Sequence, residues 1–366
     1  MKWSPQQDAA LKAVDHWFYT ESKKKQIFRV FGFAGTGKTT LARHFADQVD
    51  GEVAYGAFTG KAALMMRKNG CFDARTIHSL LYKAIENEET GEVTFTLNPQ
   101  SVLADAKLCI IDECSMVDEI LAKDLLSFGV PILVLGDPAQ LPPVNGAGFF
   151  TECDPDIMLT EIHRQARDNP IIDLATRVRM GGNLELGTYG ESRVILKPTQ
   201  KDALDADQIL VGRNATRETM NQRMRRLLGY KDPLPIKDER LICLKNDRDL
   251  GIFNGGMFTV GAAIKKNYPT NFHFLHLIRE DEDGASVIAK VHKSFFTPEV
   301  PKPDWRLLKG SQEFDYGYAI TTHKAQGSQW ASGLVYDESW CFRDDNLRWL
   351  YTSITRFQEK VTIVKN

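Results

Sequence analysis

The octapeptide GFAGTGKT, Gly32 to Thr39, carries the most specific chemistry in the chain. It fits G-x-x-x-x-G-K-[ST], with the apolar run IFRVF before it and the helical pattern TTLARHFADQV after it. Glycines let the backbone curl so that N–H groups face phosphate oxygens, and a helix N-terminus adds partial positive charge. Lys38 would reach the β- and γ-phosphates of ATP and Thr39 would offer a hydroxyl to Mg²⁺, while Gly35, Thr36, Gly37 and Thr40 complete the cradle. Downstream, LCIIDECS delivers Asp112 and Glu113 to the end of an apolar run. One carboxylate, Asp112, suffices for the metal's shell beside Thr39; a second, Glu113, can polarise a water for attack on the γ-phosphate. The pair favours hydrolysis over transfer to a small molecule, although both residues could instead cap the helix that follows. A third run, VPILVLGDPAQLPPV, ends at Gln140, whose amide would sense the γ-phosphate and pass the change to its loop.

Such residues need a rigid frame. IFRVFGF, VAYGAF, KLCIIDE, VPILVLGD and IMLTE read as strands of 4 to 8 residues with polar or Gly-rich ends. Continuous rather than alternating apolarity predicts strands covered on both faces, hence a parallel sheet wrapped by helices, with ligands at the carboxyl ends. A second α/β pattern follows: QILVG leads to the Arg-rich RNATRETMNQRMRR, and YGYAITT, GLVYDES and VTIVKN come later. MFTVGAAI, FHFLHLI and ASVIAKV, with turns at NGG and EDEDG, predict a small antiparallel β unit inserted in that second domain. The stretch ENEETGEVTFTLNPQS predicts a further small insert in the first.

At 366 residues, 43% hydrophobic and 26% charged, the chain has the composition of a globular protein of two or three domains. No apolar run spans a bilayer and the first residues lack the core of a signal peptide, so a cytoplasmic protein is expected, or one in the host cytoplasm if phage-encoded. The six cysteines form no C-x-x-C pair and are expected as buried thiols. A formal charge of −2 gives no global basic field, so any nucleic acid must be held locally. Taken alone, the Arg-rich run reads as a solvated helix face, and TTHKAQGSQW, Thr321 to Trp330, as a polar surface turn.

Several phrases together resemble, in order, the motifs of superfamily 1 DNA helicases of the RecD-like subclass, compact phage members included. SPQQ is similar to the Q motif, GFAGTGKT and IIDE to motifs I and II, FTGKAA to motif Ia, LGDPAQLPPV to motif III, LTEIHRQARDNPI to motif IV, ITTHKAQGSQW to motif V and LYTSITRFQEKV to motif VI. The resemblance implies an α/β fold of two RecA-like P-loop domains clamping ATP: residues 1–165 the first, with a pin hairpin at about 80–106; residues 166–239 and 311–366 the second, with a small β-barrel at 240–310. It makes Gln7 the adenine contact, Glu113 the base, Arg164 and Arg356 the γ-phosphate arginines, and turns Gln326 and Gly327 toward ATP. It puts Thr59, Lys61, Thr76, His78, Pro138, Asn214, Asn221, Arg225, Thr322, His323 and Lys324 against DNA; Phe95, in VTFTL, is a candidate aromatic of the pin, with packing into the insert's own core as the alternative. Such contacts go to backbone and to stacked bases and do not read sequence.

The implied activity is an ATP-dependent helicase moving 5′ to 3′ on single-stranded DNA and unwinding duplex, in replication, recombination or repair. Single-stranded and fork DNA are the implied partners, with single-strand-binding or replication proteins beside them; no membrane is involved, and the protein acts as a monomer. The short flanks around the first and last motifs lead us to expect neither an N-terminal extension nor an appended nuclease. Two alternatives stay open: a single-strand translocase that unwinds weakly, or a P-loop ATPase switch that does not act on DNA.

Overall fold

In the computed structural model the described residues are 3–86, 93–142, 148–161, 169–247, 250–264, 270–280, 285–297, 300–301 and 303–365. The chain divides into two units, Met1–Gly182 and Asn183–Asn366. The apolar runs of the first become β1 (Ile27–Gly32), β2 (Val53–Ala57), β3 (Arg75–Thr76), the pair β4 (Tyr82–Glu86) and β5 (Val93–Leu97), then β6 (Leu108–Asp112), β7 (Ile132–Gly136) and β8 (Ile157–Leu159). Six of them form one parallel sheet, in the order β3-β2-β6-β7-β1-β8.

Both faces are covered, which is why the interior strands are mostly apolar; Arg29 of β1 is an exception, its Nε donating to Phe150 O at 3.2 Å. Leu108, Ile110, Leu133 and Leu135 join Ala10 and Val14 of α1 (Pro5–His16) and Leu41 and Phe45 of α2 (Lys38–Ala46). Beside them α3 (Gly60–Lys68) buries Ala62, Ala63 and Met66. The alternate strand residues Cys109, Ile111, Ile132 and Val134 pack with Leu80 and Leu81 of α4 (Ile77–Leu81) and Leu121 and Leu125 of α5 (Glu119–Leu126). The pair β4–β5 forms a separate antiparallel hairpin within the expected insert, in register from Tyr82 opposite Leu97 to Glu86 opposite Val93. It is tied to α5 by a hydrogen bond from the Tyr82 hydroxyl to the Asp124 carboxylate.

Helix α6 (Pro170–Arg179), expected in the second domain, belongs to the first unit. The guanidinium of Arg179 lies 3.4 Å from the ring centroid of Phe33. The division therefore falls after Gly182 and not after residue 165. A motif boundary marks where a phrase ends, whereas a unit boundary marks where contacts end.

The second unit contains β9 (Gly187–Tyr189), β10 (Ser192–Ile195), β11 (Gln208–Val211), β12 (Arg240–Cys243), β13 (Met257–Ile264), β14 (Phe272–Arg279), β15 (Ser286–His292), β16 (Phe314–Tyr316), β17 (Ala319–Thr321), β18 (Trp330–Tyr336) and β19 (Phe357–Val364). Its main sheet runs β17-β11-β18-β19-β10-β9, parallel except for β9 against β10. Helices α7 (Gln200–Leu204), α8 (Asn214–Leu227), α9 (Thr322–Ala325) and α10 (Asn346–Ile354) accompany it.

The inserted strands form an antiparallel sheet, β15-β14-β13-β12-β16, bridged back on itself at Val291 and Gln312. Two details correct the expected barrel at 240–310. Its last strand, β16, lies beyond residue 310, and Leu241, Phe258, Leu275 and Phe314 share one core with Ile209, Val211, Met220 and Met224 of the main sheet and α8. Among the described residues the insert thus shares its core with the main sheet. YGYAITT, expected as a single strand, is cut at Gly317, where a Cβ would come 2.7 Å from Met257 Cε and 3.0 Å from the Leu241 carbonyl carbon. Cys71, Cys109, Cys114 and Cys243 are buried thiols, and Cys153 is exposed. Among the described residues no helix is long and apolar enough to cross a membrane.

Candidate nucleotide site and nucleic-acid interface

The phosphate loop follows β1, which lies between β7 and the edge strand β8 of the first sheet. Gly35 and Gly37 adopt φ of 79° and 81°, a region that L side chains disfavour, and Gly37 caps α2. A Cβ on Gly32 would lie 2.7 Å from Thr36 Oγ1 and 2.8 Å from Leu159 Cβ, so the loop closes tightly on its own strand neighbour. Lys38 begins α2, and its ammonium donates to the carbonyls of Gly32 (2.6 Å) and Phe33 (3.1 Å). The first-turn N–H groups of α2 have no intrahelical acceptors, as at every helix start, and Thr40 is exposed there.

Gln7, expected against adenine, is instead buried. It sits at the third position of α1 in a capping box with Ser4: its Oε1 accepts from Ser4 N–H (3.0 Å) and its Nε2 donates to Thr36 O (3.0 Å). That amide braces the phosphate loop. Its neighbour Gln6, which the sequence reading passed over, donates to Met158 O (3.0 Å) and accepts from the N–H groups of Thr160 and Glu161 (2.9 Å each).

Asp112 ends β6, and the Thr39 hydroxyl donates to its Oδ2 at 2.8 Å. Burial, then the charge of Glu113, pushes the Asp112 carboxyl above its ordinary value, opposed by the bonds from Thr39 and Glu113 N–H and by Lys38. Glu113 itself stands at φ 53° and ψ 45°, left-handed for a non-glycine residue. Its N–H donates back to Asp112 Oδ1 at 2.8 Å. The pair does not cap the following helix. Asp118 does, accepting from Leu121 N–H at 2.9 Å. After β7, Asp137 Oδ1 accepts from Ala139 N–H and fixes a turn that buries Gln140. The Gln140 Oε1 is buried without a hydrogen-bond partner among the described residues.

The first-unit residues expected on DNA follow the neighbouring strands. Thr59 caps α3, accepting from Ala62 N–H at 3.1 Å, and Lys61 is half-buried in that helix's first turn. Thr76 caps α4, accepting from Ser79 N–H at 3.2 Å, while His78 is exposed, its ring 6.3 Å from Phe58 and 5.8 Å from Tyr82. The two hydroxyls thus already serve as helix caps. Pro138 is half-buried in the turn after β7, and Phe95 on the hairpin is 59% exposed.

In the second unit several expectations are corrected. The Asn221 amide is buried, donating to the carbonyls of Tyr316 (2.9 Å) and Ala319 (3.1 Å) and accepting from Ala319 N–H (2.7 Å). Arg225 is buried against fully buried Glu239, Nε at 2.6 Å and Nη2 at 3.1 Å. Thr322 is fully buried, its hydroxyl 2.7 Å from that of Ser353. All three side chains are buried and bonded within the unit. A polar residue on an arginine-rich helix reads as solvent-facing unless its distant partner is known. TTHKAQGSQW is not a loop throughout: Thr322–Ala325 is the helical turn α9. His323 and Lys324 are half-buried, and Lys324 Nζ donates to Asn254 Oδ1 at 2.7 Å. Burial pushes the His323 imidazole below its ordinary value, opposed by Asp345. Asn214, opening α8, is exposed. Gln326 is buried, Gly327 adopts φ 75°, and Arg356 is buried with Nε donating to Thr352 O at 3.3 Å. Arg164 lies outside the described residues.

Comparison with known proteins agrees with this geometry. Residues 3–197 match a family model described as an AAA domain, and residues 316–364 one described as a UvrD-like helicase C-terminal domain. An ATP-dependent RecD2 DNA helicase of Deinococcus radiodurans is 29% identical over 369 residues, covering 90% of this chain and 45% of the relative. The chain thus spans under half of that relative's length. Among solved structures, Pif1 helicase from Candida albicans matches with a TM-score of 0.58 at 18% identity, covering 100% of this chain and 94% of that one. Bacteroides Pif1 bound to ssDNA matches with a TM-score of 0.59 at 17% identity, covering 99% and 92%. At these identities the structures speak for the fold.

Proposed function

This chain belongs to the AAA domain family and, within it, to the RecD- and Pif1-like superfamily 1 helicases, and from that premise we propose that it is an ATP-dependent DNA helicase. The observation that carries this reading is how the side chains sort along one sheet edge. The phosphate loop, the Asp112–Glu113 pair and Gln140 follow β1, β6 and β7, while Thr59, Lys61, Thr76 and His78 follow β2 and β3. These are five consecutive strands, so a change at the γ-phosphate has a short, rigid route to the loops we assign to DNA.

In this reading Lys38 holds the β- and γ-phosphates, and Glu113 takes a proton from the water that attacks the γ-phosphorus. The Gln140 amide oxygen, buried and unsatisfied, gains an acceptor's partner when that water arrives. Arg164 and Arg356 are proposed to neutralise charge on the γ-phosphoryl group. Mg²⁺ suits the pair Thr39–Asp112: both offer hard oxygen atoms, 2.8 Å apart, beside a second carboxylate whose charge a divalent cation offsets. When bound, the ion withdraws charge from the phosphate oxygens. We assign 5′ to 3′ movement from the resemblance to RecD-like members, with single-stranded and fork DNA as partners, a monomer as the acting species and the cytoplasm as its place. Residues 240–310, with β16, correspond in this reading to the inserted β domain of those helicases, and β4–β5 to their pin. That hairpin pairs only with itself among the described strands. A lone two-stranded hairpin is marginal in water, which favours weak unwinding by a translocase as the second reading.

Strand displacement with ATP, comparing duplexes carrying a 5′ or a 3′ single-stranded tail, tests both. Separation of the 5′-tailed duplex alone is expected. Stimulated ATP turnover without separation would select the translocase, and no stimulation by single-stranded DNA would end the helicase reading.

A further inference from the structure

Two neighbouring strand ends of the second unit are tied together by one carboxylate, and a third strand ends beside them. Sheet order puts β17, β11 and β18 side by side; β11 leads into Gly212 and Arg213, β18 into Asp337 and Glu338, and β17 into α9. The buried Glu338 carboxylate accepts from the N–H groups of Gly212 (2.8 Å) and Arg213 (3.0 Å), from Arg213 Nε (2.9 Å) and from the Thr216 hydroxyl (2.6 Å). Gly212 is required here, since a Cβ would sit 2.8 Å from Glu338 Cβ. Arg213 is thereby pre-oriented, with only Nε committed to the carboxylate.

Two residues beyond Glu338, Trp340 is 60% exposed, and the Arg213 guanidinium lies 5.3 Å from its ring centroid. The far end of the segment is fixed as well. Arg343 adopts φ 46° and ψ −113°, and Phe342 stacks on buried Trp349 with centroids 5.4 Å apart and planes 12° apart. The same Phe342 ring lies 5.6 Å from that of His323, which follows β17 on the far side of β11. A tryptophan held at both ends of its segment and still turned outward is not filling a core. Exposed Asn214 stands next to Arg213, and Lys324 next to His323.

We propose that Trp340 and Arg213 form a stacking platform for one base of a single nucleic-acid strand, the indole receiving the base and the guanidinium the adjoining phosphate. The inference rests on the reading of this chain as acting on single-stranded DNA, and it names a contact outside the helicase phrases found in the sequence. A π face accepts any base, so the platform adds affinity without sequence preference.

The test is fluorescence anisotropy with a labelled oligothymidylate and with an abasic strand of the same length. Trp340→Ala should weaken oligothymidylate binding at least about fivefold, the lower end of the cost of losing one stacked base, and leave abasic binding unchanged. Trp340→Phe should restore most of it. Since the side chain is exposed, a melting temperature equal to the parent's separates lost contact from lost fold. Failure of the unsubstituted protein to bind either strand would overturn the single-strand reading itself. Parent-like oligothymidylate binding by Trp340→Ala, or an equal loss on both strands, would overturn the platform alone, the first leaving the exposed ring to a protein partner.

Discussion

Glu113 stands at φ 53° at the end of β6, where a left-handed non-glycine residue costs of order 1 kcal/mol or more and persists only when its surroundings over-determine it. The bond from its own N–H to Asp112 and the turn that follows hold it there. Glu113→Gln keeps the side chain's shape and removes its basicity. ATP binding should survive, while steady-state phosphate release falls by about 10²-fold or more; undiminished release would take Glu113 out of the base role. Arg225 makes the opposite case. The sequence reads it as a DNA contact, yet its guanidinium is spent on Glu239, buried and ion-paired. Arg225→Ala leaves that carboxylate buried without its cation, at a cost of about 3–5 kcal/mol, measurable by denaturant unfolding. A variant that unfolds like the parent and loses only DNA affinity would return Arg225 to the interface.

At the scale of elements, the strands of the hairpin β4–β5 pair with no other described strand, so we expect it to be removable without loss of the first sheet. Replacing residues 84–95 by a short glycine turn should abolish strand displacement and leave DNA-stimulated ATP turnover in place; loss of both would make the hairpin part of the unit's fold. The loops around Glu338 are expected to respond to pH. Burial alone would raise this carboxyl, but the bonds from Thr216, Arg213 and Gly212 outweigh burial and hold it below the ordinary value. A folded pKa below the unfolded one means stabilisation that is complete above about pH 4.3 and is lost as pH falls through the folded value. Unfolding midpoints measured from about pH 6 down to 3 should therefore fall less steeply in Glu338→Gln than in the parent. An unchanged slope would show that Glu338 does not tie these loops.

For the whole molecule, a formal charge of −2 leaves DNA affinity to a few local cations. With Lys61, Lys324 and Arg213 as the phosphate contacts, log K against log salt should have a slope of about −2 for a single strand. A slope steeper than about −5 would require a basic track beyond these residues. That the phosphate loop, the Asp112–Glu113 pair and Gln140 stand at strand ends was legible in the sequence, because each directly follows an apolar strand and the geometry of that junction is local. The parallel first sheet was legible for a related reason: strands buried on both faces must be apolar at most positions. The partners of Asn221, Arg225, Thr322 and Gln7, namely Tyr316 and Ala319, Glu239, Ser353 and Thr36, were not legible because they lie far along the chain or on another element. Trp340 was passed over because an exposed aromatic has no periodic signature. The sequence by itself determined the phosphate chemistry and the two-sheet plan, through local backbone demands and the cost of exposing apolar strands. Only the tertiary structure decided which polar side chains hold the fold and which are left to meet a ligand, since a hydrogen bond is claimed by whichever partner packing brings within reach.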